Sequence, residues 1–349
     1  MNSTSIISSA DCILVTGSNG FIGTSVVENL LARSFSNLRL FVRPSSNLDK
    51  LKTILGKYPA GKNAEMISGD LLSRDDCRKA AQDVSVIIHL AAGFDKSFAG
   101  AFMNSALATR NLIEAFIELG QPKRFANVSS FAVYSNLGMK RGALLDETCP
   151  LEDASQERYD AYGFGKLQQE KIVRHYGKNS RLPFVILRPG AVFGPGKPDL
   201  SGRVGINTFG FFIHLGGTNE LPLTFVDNCA EAIVLAAFKP GVDGETFNVV
   251  DDEKMTSREF LAARKSVKSF FSVWIPYRLA YLGSVFWENY SKKSGGQLPP
   301  VFNRRRCAAE WQGNRYSNQK LHERLGWKPR VNMDQAMSAF LSQYDQPAP

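Results

Sequence analysis

Val15-Thr16-Gly17-Ser18-Asn19-Gly20-Phe21-Ile22-Gly23 follows the apolar run Cys12-Ile13-Leu14 and leads into Ile22, Val26, Val27, Leu30 and Leu31. The alternation reads as strand, glycine turn, amphipathic helix. A helix start presents unpaired N–H groups and a positive dipole end, where a pyrophosphate can sit. Gly17 suits the tight turn, Gly20 the close approach of backbone to phosphate, and Gly23 the packing of helix on strand. The spacing is G-x-x-G-x-x-G rather than the commoner G-x-G-x-x-G. By itself a glycine triplet is a weak signal. Set between strand and helix near the start of a chain, it points to a bound dinucleotide.

Working outward, further strand-like runs follow at Leu38–Val42, Glu65–Asp70, Val84–Leu90, Arg124–Val128 and Phe184–Pro189, with helical patterns over Asn104–Leu119 and Tyr162–Tyr176. Near-continuous apolar strands alternating with helices predict an α/β fold, a Rossmann-type doubly wound parallel sheet buried on both faces. The rhythm breaks after Pro195. Residues 196–222 are rich in Gly and Phe, and 256–312 reads as helical and aromatic. The prediction is a nucleotide-binding domain over 11–195, 223–250 and about 316–349. A smaller, discontinuous C-terminal lobe of 196–222 and 251–315 caps it, behind a flexible lead of 1–10. The apolar stretch Phe270–Trp287 is interrupted by Pro276 and Arg278, which argues against a spanning helix; it reads as a core or pocket-lining helix, with membrane-surface contact or an apolar substrate channel as the alternatives.

The 349 residues are 44% hydrophobic and 21% charged, with net charge +9. The basic residues are scattered apart from Arg304-Arg305-Arg306, which argues against a nucleic-acid partner. Five dispersed cysteines and four dispersed histidines give no disulfide framework and no metal site. The polar opening ten residues lack a signal-peptide pattern, so the expected compartment is the cytoplasm.

Tyr162 and Lys166 stand four apart at the head of a helical pattern and share one helix face. A phenol ionises near pH 10, and a neighbouring ammonium lowers that value enough to make proton exchange with a hydroxyl or carbonyl feasible. Ser129-Ser130 ends a strand, placing a hydroxyl at the same sheet edge to bond the substrate oxygen. After the second strand, Arg43 stands where a carboxylate would select NAD. With Ser45 and Ser46 it favours the 2′-phosphate of NADP.

In these motifs the chain resembles the extended short-chain dehydrogenase/reductase family of NAD(P)-dependent epimerases, dehydratases and reductases, with some likeness to its 3β-hydroxysteroid dehydrogenase branch. T-G-x-x-G-F-I-G is Thr16–Gly23, G-D-L is Gly69-Asp70-Leu71, H-L-A-A is His89–Ala92, and the Asn-led helix starts at Asn104. S-S-x-x-V-Y is Ser129–Tyr134, L-R-P-x-x-V-F-G-P is Leu187–Pro195, and L-G-[WY]-x-P is Leu325–Pro329. The resemblance implies a cofactor site of Thr16, Gly17, Asn19, Gly20, Phe21, Ile22, Gly23, Arg43, Asp70, Leu71, Ala91, Ala92, Asn104, Ser129, Tyr162, Lys166, Pro189, Gly190 and Val192. It also implies Tyr162 as acid/base, Lys166 as holder of the nicotinamide ribose, Ser130 as orienter of the reacting oxygen, and a homodimer.

The substrate is expected to be either a nucleotide sugar or a hydrophobic alcohol or ketone. The short Gly93–Met103 segment and the aromatic lobe favour the latter, whereas Arg203, Arg304, Arg305, Arg306 and Arg315 would suit a diphosphate. Ser130, Phe131, Arg203 and Arg305 are the candidate substrate contacts. Apolar Phe131 and Ala132 replace the acids of dehydratases, so redox or epimerisation is expected, not elimination. The alternative is a non-catalytic NADP-binding regulator, which typically lacks the Tyr and Lys retained here.

Overall fold

Seven short runs of β-branched and apolar residues form one parallel sheet because both of its faces are covered by helices. The strands are β1 (Cys12–Thr16), β2 (Leu38–Val42), β3 (Glu65–Ser68), β4 (Val84–His89), β5 (Arg124–Val128), β6 (Phe184–Pro189) and β7 (Thr246–Val249). Their order is β7-β6-β5-β4-β1-β2-β3, and every neighbouring pair is parallel. The chain reverses its direction of winding between β1 and β4, which opens a crevice at the strands' carboxyl ends. This computed structural model describes residues 5–93, 95–197, 202–208, 210–295 and 297–344.

On one face, helices α1 (Phe21–Ala32) and α4 (Val226–Phe238) pack Val26, Val27, Leu30, Ile233 and Ala237 against Ile13, Val15, Ile88 and Val185. On the other, α2 (Ala108–Leu119) and α3 (Ala161–Asn179) set Leu112, Phe116 and Val173 against Leu14, Ile87, Phe125 and Ile186. The segment before α2 is not one continuous α-helix: a π-helical turn covers Phe102–Leu107 and carries Asn104.

Beyond the main sheet, Gly205–Thr208 pairs antiparallel with Phe211–His214, which pairs in parallel with Ser272–Trp274. That last strand lies inside the stretch read as helical. Helices α5 (Tyr277–Lys293) and α6 (Arg304–Trp311) follow, around a small core of Leu215, Ala280, Cys307 and Trp311. Val204, Phe212, Leu221 and Phe260, from the ranges read as the lobe, instead join the main core.

The reading of Phe270–Trp287 as core or pocket wall does not hold for its outer face. Phe271, Trp274, Leu279, Leu282 and Phe286 are exposed, and in α5 it is Tyr277, Ala280, Tyr281 and Ser284 that face inward. In the predicted lead, the Ile6 N–H donates to Phe238 O and Ile7 packs on the core. Residues 1–4 of that lead, 198–201, 209 and 296 of the predicted lobe, 345–349, and Phe94 within Gly93–Met103 lie outside the described residues.

Candidate active site

The crevice at the β1/β4 switch holds a cavity of about 860 Å³. Its walls include Gly17, Asn19, Gly20, Phe21, Ile22, Gly23, Arg43, Asp70, Leu71, Ala91, Ala92, Asn104, Ser129, Ser130, Tyr162, Lys166, Pro189, Gly190 and Val192. Of the residues implied for the cofactor, Thr16 alone is held back from the cavity. Its hydroxyl lies 2.7 Å from Nδ1 of His89, whose Nε2 lies 2.9 Å from the Thr109 hydroxyl. His89 is therefore a core histidine, and burial pulls its pKa down to about 3.

The glycine turn forms a wall of bare backbone. Gly17 takes φ +68°, and a Cβ on Gly23 would stand 2.0 Å from the Gly17 carbonyl oxygen. On the far side, a Cβ on Gly190 would meet Pro222 O at 2.1 Å. These approaches leave N–H groups at the start of α1 open to a pyrophosphate, so the residues fit a dinucleotide. Leu90 and Phe193, from the H-L-A-A and L-R-P-x-x-V-F-G-P motifs, stand on the same walls. Sequence reading missed Phe41, Ala108, Lys197, Leu223 and Phe260 there. Phe41 sits next to the end of β2, a placement that could have marked it.

A second cavity, of about 660 Å³, shares Ser130, Tyr162, Gly190 and Ala191 with the first. Phe131 and Arg203 line it, with Asp95, Lys96, Arg158, Tyr159, Val301, Arg306 and Glu310. Arg305 lines neither. It is tied to Glu152 at 2.9 Å, Asp153 at 3.2 Å and Glu157 at 3.1 Å. The other arginines proposed for a diphosphate also bond within the protein. Arg203 donates to Ala309 O, Arg304 to Glu288, Arg306 to Val301 O and Arg315 to Gly142 O.

Tyr162 stands in the first turn of α3, which Asp160 caps by accepting the Gly163 N–H at 2.8 Å. Ser130 and Tyr162 stand together on the wall that the two cavities share. Burial pushes the phenol up to about 12, and the nearby Ser130 side chain works in the opposite direction. Lys166, one turn on, donates to Val128 O at 2.6 Å and to Oε1 of Gln169 at 3.0 Å. Burial pulls its ammonium down to about 7 against the Glu170 carboxylate. Burial, and not the Lys166 ammonium, sets the direction for the phenol, and it dominates both groups.

Gln169 passes the contact on, its Nε2 donating to the Thr109 hydroxyl at 2.8 Å and to Ala91 O at 3.3 Å. Below lies a second buried network. Arg188 donates twice to Glu170, at 2.9 and 2.7 Å, and to the Tyr134 hydroxyl, while Ser129 donates to Glu170 at 2.6 Å. It connects β5, α3 and β6 beneath the serine pair, so the site is built on rigid elements.

A parallel sheet in this order, with a glycine turn after its first strand and Ser, Tyr and Lys on the crevice wall, defines a nucleotide-dependent enzyme of the Rossmann type. The chain belongs to the NAD dependent epimerase/dehydratase family, whose model matches residues 13–249, within the extended short-chain dehydrogenase/reductases. It is 26% identical over 361 residues to the sterol-4-alpha-carboxylate 3-dehydrogenase, decarboxylating, of Mus musculus, covering 98% of this chain and 93% of that protein. It is 30% identical over 256 residues to an uncharacterized UDP-glucose epimerase of Bacillus subtilis, covering 69% of this chain and 77% of that one. The solved UDP-glucuronic acid 4-epimerase of Bacillus cereus, in complex with UDP-glucuronic acid and NAD, matches with a TM-score of 0.71. It is 24% identical and covers 96% of this chain and 99% of that chain, a likeness of fold. Among the described residues no helix is long and apolar enough to cross a membrane.

Proposed function

We propose that this chain is an NADP-preferring oxidoreductase that interconverts a secondary alcohol and a ketone on a hydrophobic small molecule. The observation that carries the reading is the placement of Ser130 and Tyr162 together where the two cavities meet, both residues lining both. A substrate oxygen there meets a hydroxyl pair, while its carbon faces the cavity lined by the glycine turn. When bound, the nicotinamide supplies hydride donation and acceptance. Tyr162 then gives or takes the proton at the substrate oxygen, and Ser130 orients that oxygen. Protonated at neutral pH, Tyr162 is set to donate in the direction of ketone reduction. Lys166 holds the cofactor's ribose, and Gln169 fixes the ammonium.

The NADP preference rests on Arg43. Its exposed guanidinium makes no hydrogen bond or ion pair among the described residues and lines the cavity with Ser45 and Ser46. The hydrophobic substrate is supported by the engagement of the lobe's arginines with the protein itself, and by the full-length similarity to a sterol dehydrogenase. A nucleotide sugar is the second reading, favoured by exposed Lys96 and Arg306 on the second cavity's wall. We further propose a cytoplasmic homodimer, with segments of 196–222 and 251–315 capping the substrate.

The test is turnover of a panel of hydrophobic ketones and nucleotide sugars with NADPH and NADH. NADPH-dependent ketone reduction is expected. In Tyr162→Phe, kcat should fall by about 10²–10⁴ while cofactor affinity stays unchanged. An active Phe variant overturns the mechanism, and cofactor binding without turnover of any substrate restores the regulator alternative.

A further inference from the structure

Helix α5 is apolar on two sides: Ala280, Tyr277 and Tyr281 face the small core of the lobe, and a second apolar stripe faces out. The helix's buried residues are Ala280, Ser284 and Ser291, the two serines donating to Tyr281 O and Leu298 O. Leu279, Leu282, Phe286 and Tyr290 follow at steps of three, four and four, so they make one stripe along the helix. These four are 60%, 58%, 80% and 61% exposed. A helix of a globular protein turns such a stripe to the core. Ile275 and Pro276 join α5 to the strand bearing Trp274, itself 55% exposed. An isolated exposed leucine needs no explanation, but a ridge over consecutive turns does.

The charges around the ridge select its occupant. Arg278 precedes Leu279, and Lys292 and Lys293 follow Tyr290, all three exposed. Among the described residues the side chains of Arg278 and Lys293 have no hydrogen bond or ion pair. The helix's one carboxylate, Glu288, is engaged by Arg304 at 2.9 Å and Lys292 at 2.9 Å. The ridge therefore ends in cations at both tips. A second copy fits poorly: antiparallel pairing about a two-fold sets Arg278 against the partner's lysine end, and parallel pairing sets each cation against itself. An anionic lipid surface satisfies both features.

We propose that α5 is an interfacial anchor. It lies flat on an anionic bilayer, with Leu279, Leu282, Phe286 and Tyr290 in the acyl boundary and Arg278, Lys292 and Lys293 among the headgroups. Its own charges keep it from spanning. Helix α5 packs on α6, which contributes Arg306 and Glu310 to the second cavity, so the anchor brings that cavity close to the lipid. The docking stands whether the substrate is a ketone or a sugar, and its test needs no turnover.

Full-length protein is floated with phosphatidylcholine vesicles, with and without phosphatidylserine. Flotation is expected only with phosphatidylserine, weakening as salt rises, with a blue shift of tryptophan emission. Leu282→Glu combined with Phe286→Glu should abolish it while leaving the melting temperature and NADPH binding unchanged. Arg278→Gln and Lys293→Gln should each weaken it about fivefold. The proposal is overturned if the wild type stays in solution with phosphatidylserine vesicles, or if the double variant still floats. It is equally overturned if the wild type is a dimer that the double variant dissociates without lipid. Should the double variant misfold, the wild-type emission shift and the two single-charge variants decide alone.

Discussion

The rim of the parallel sheet and the outer helices α5 and α6 treat the same residue types in opposite ways. At the rim, Gly23 has a backbone oxygen 2.0 Å from where its Cβ would stand, and Arg188 is locked to Glu170 with both side chains almost wholly buried. In the lobe, the nearest atom to a Cβ on Gly283 is 3.5 Å away, and Arg304 meets Glu288 in partial contact with solvent. The rim is determined by backbone geometry and by charges that cannot be left unpaired. Helices α5 and α6 carry looser constraints, and the outward ridge of α5 answers to something outside the fold.

The sharpest break in this contrast is Arg188→Leu. It strands the Glu170 carboxylate in the core with the Ser129 hydroxyl and a longer contact to Arg174 at 3.6 Å. Removing one partner of a buried pair costs about 3–5 kcal/mol, so a large fall in melting temperature is expected. Arg304→Ala removes a solvent-screened pair and should cost about 0–1 kcal/mol, vanishing at high salt. Equal losses in denaturant titrations would erase the distinction between rim and lobe.

Gly23→Ala should come next, at about 1–3 kcal/mol for overpacking, with loss of dinucleotide binding by calorimetry. The α1 start must back away from Gly17 to admit the methyl group, which moves the N–H groups that face the crevice. Undiminished cofactor affinity in this variant would show that the turn is only a turn.

How legible each region was follows from the same physics. Strand ends, the glycine turn and the Tyr162/Lys166 spacing are local patterns, and the topology then brings Ser130, Tyr162 and Lys166 to one crevice. Thr16 fitted the motif, yet its hydroxyl is consumed by His89, an interaction 73 residues away in sequence. Arg305 looked available until Glu152, Asp153 and Glu157, some 150 residues upstream, took it up. The Arg188–Glu170–Ser129 network was invisible for that reason: no periodicity reports which distant charges will meet. For Phe270–Trp287, composition announced apolar character but not its direction. The packing of Tyr277, Ala280 and Tyr281 on the small core reveals that the ridge faces out.

A smaller effect concerns pH. Lys166 has its pKa lowered to about 7 by burial, so its ammonium is fully present below pH 7 and is lost as pH rises through that value. An anionic dinucleotide binds the charged form better. Its affinity should therefore fall above pH 7, by at most about tenfold per unit, until the lysine of the complex also titrates. Stability runs the other way. The unfolded lysine, near 10.5, binds more protons than the folded one between about 7 and 10.5, so the cofactor-free protein gains stability across that window. Lys166→Met should flatten both profiles. A wild-type cofactor affinity constant from pH 6 to 9 would show that the ammonium does not face the bound nucleotide.

The smallest expected change lies in the lobe and has the opposite sign. Gly283 is an exposed position inside α5, with helical backbone and only Phe302 Cε1 near its missing Cβ. Alanine there removes the entropy cost of a helix glycine and should raise stability by about 0.5–1 kcal/mol in thermal unfolding. The substitution also adds a methyl beside Leu282 and Phe286, so vesicle binding should be kept or slightly strengthened. A destabilised Gly283→Ala variant would mean that the outer face of α5 is already covered in the free protein, and the rim and lobe would then differ less than their surfaces imply.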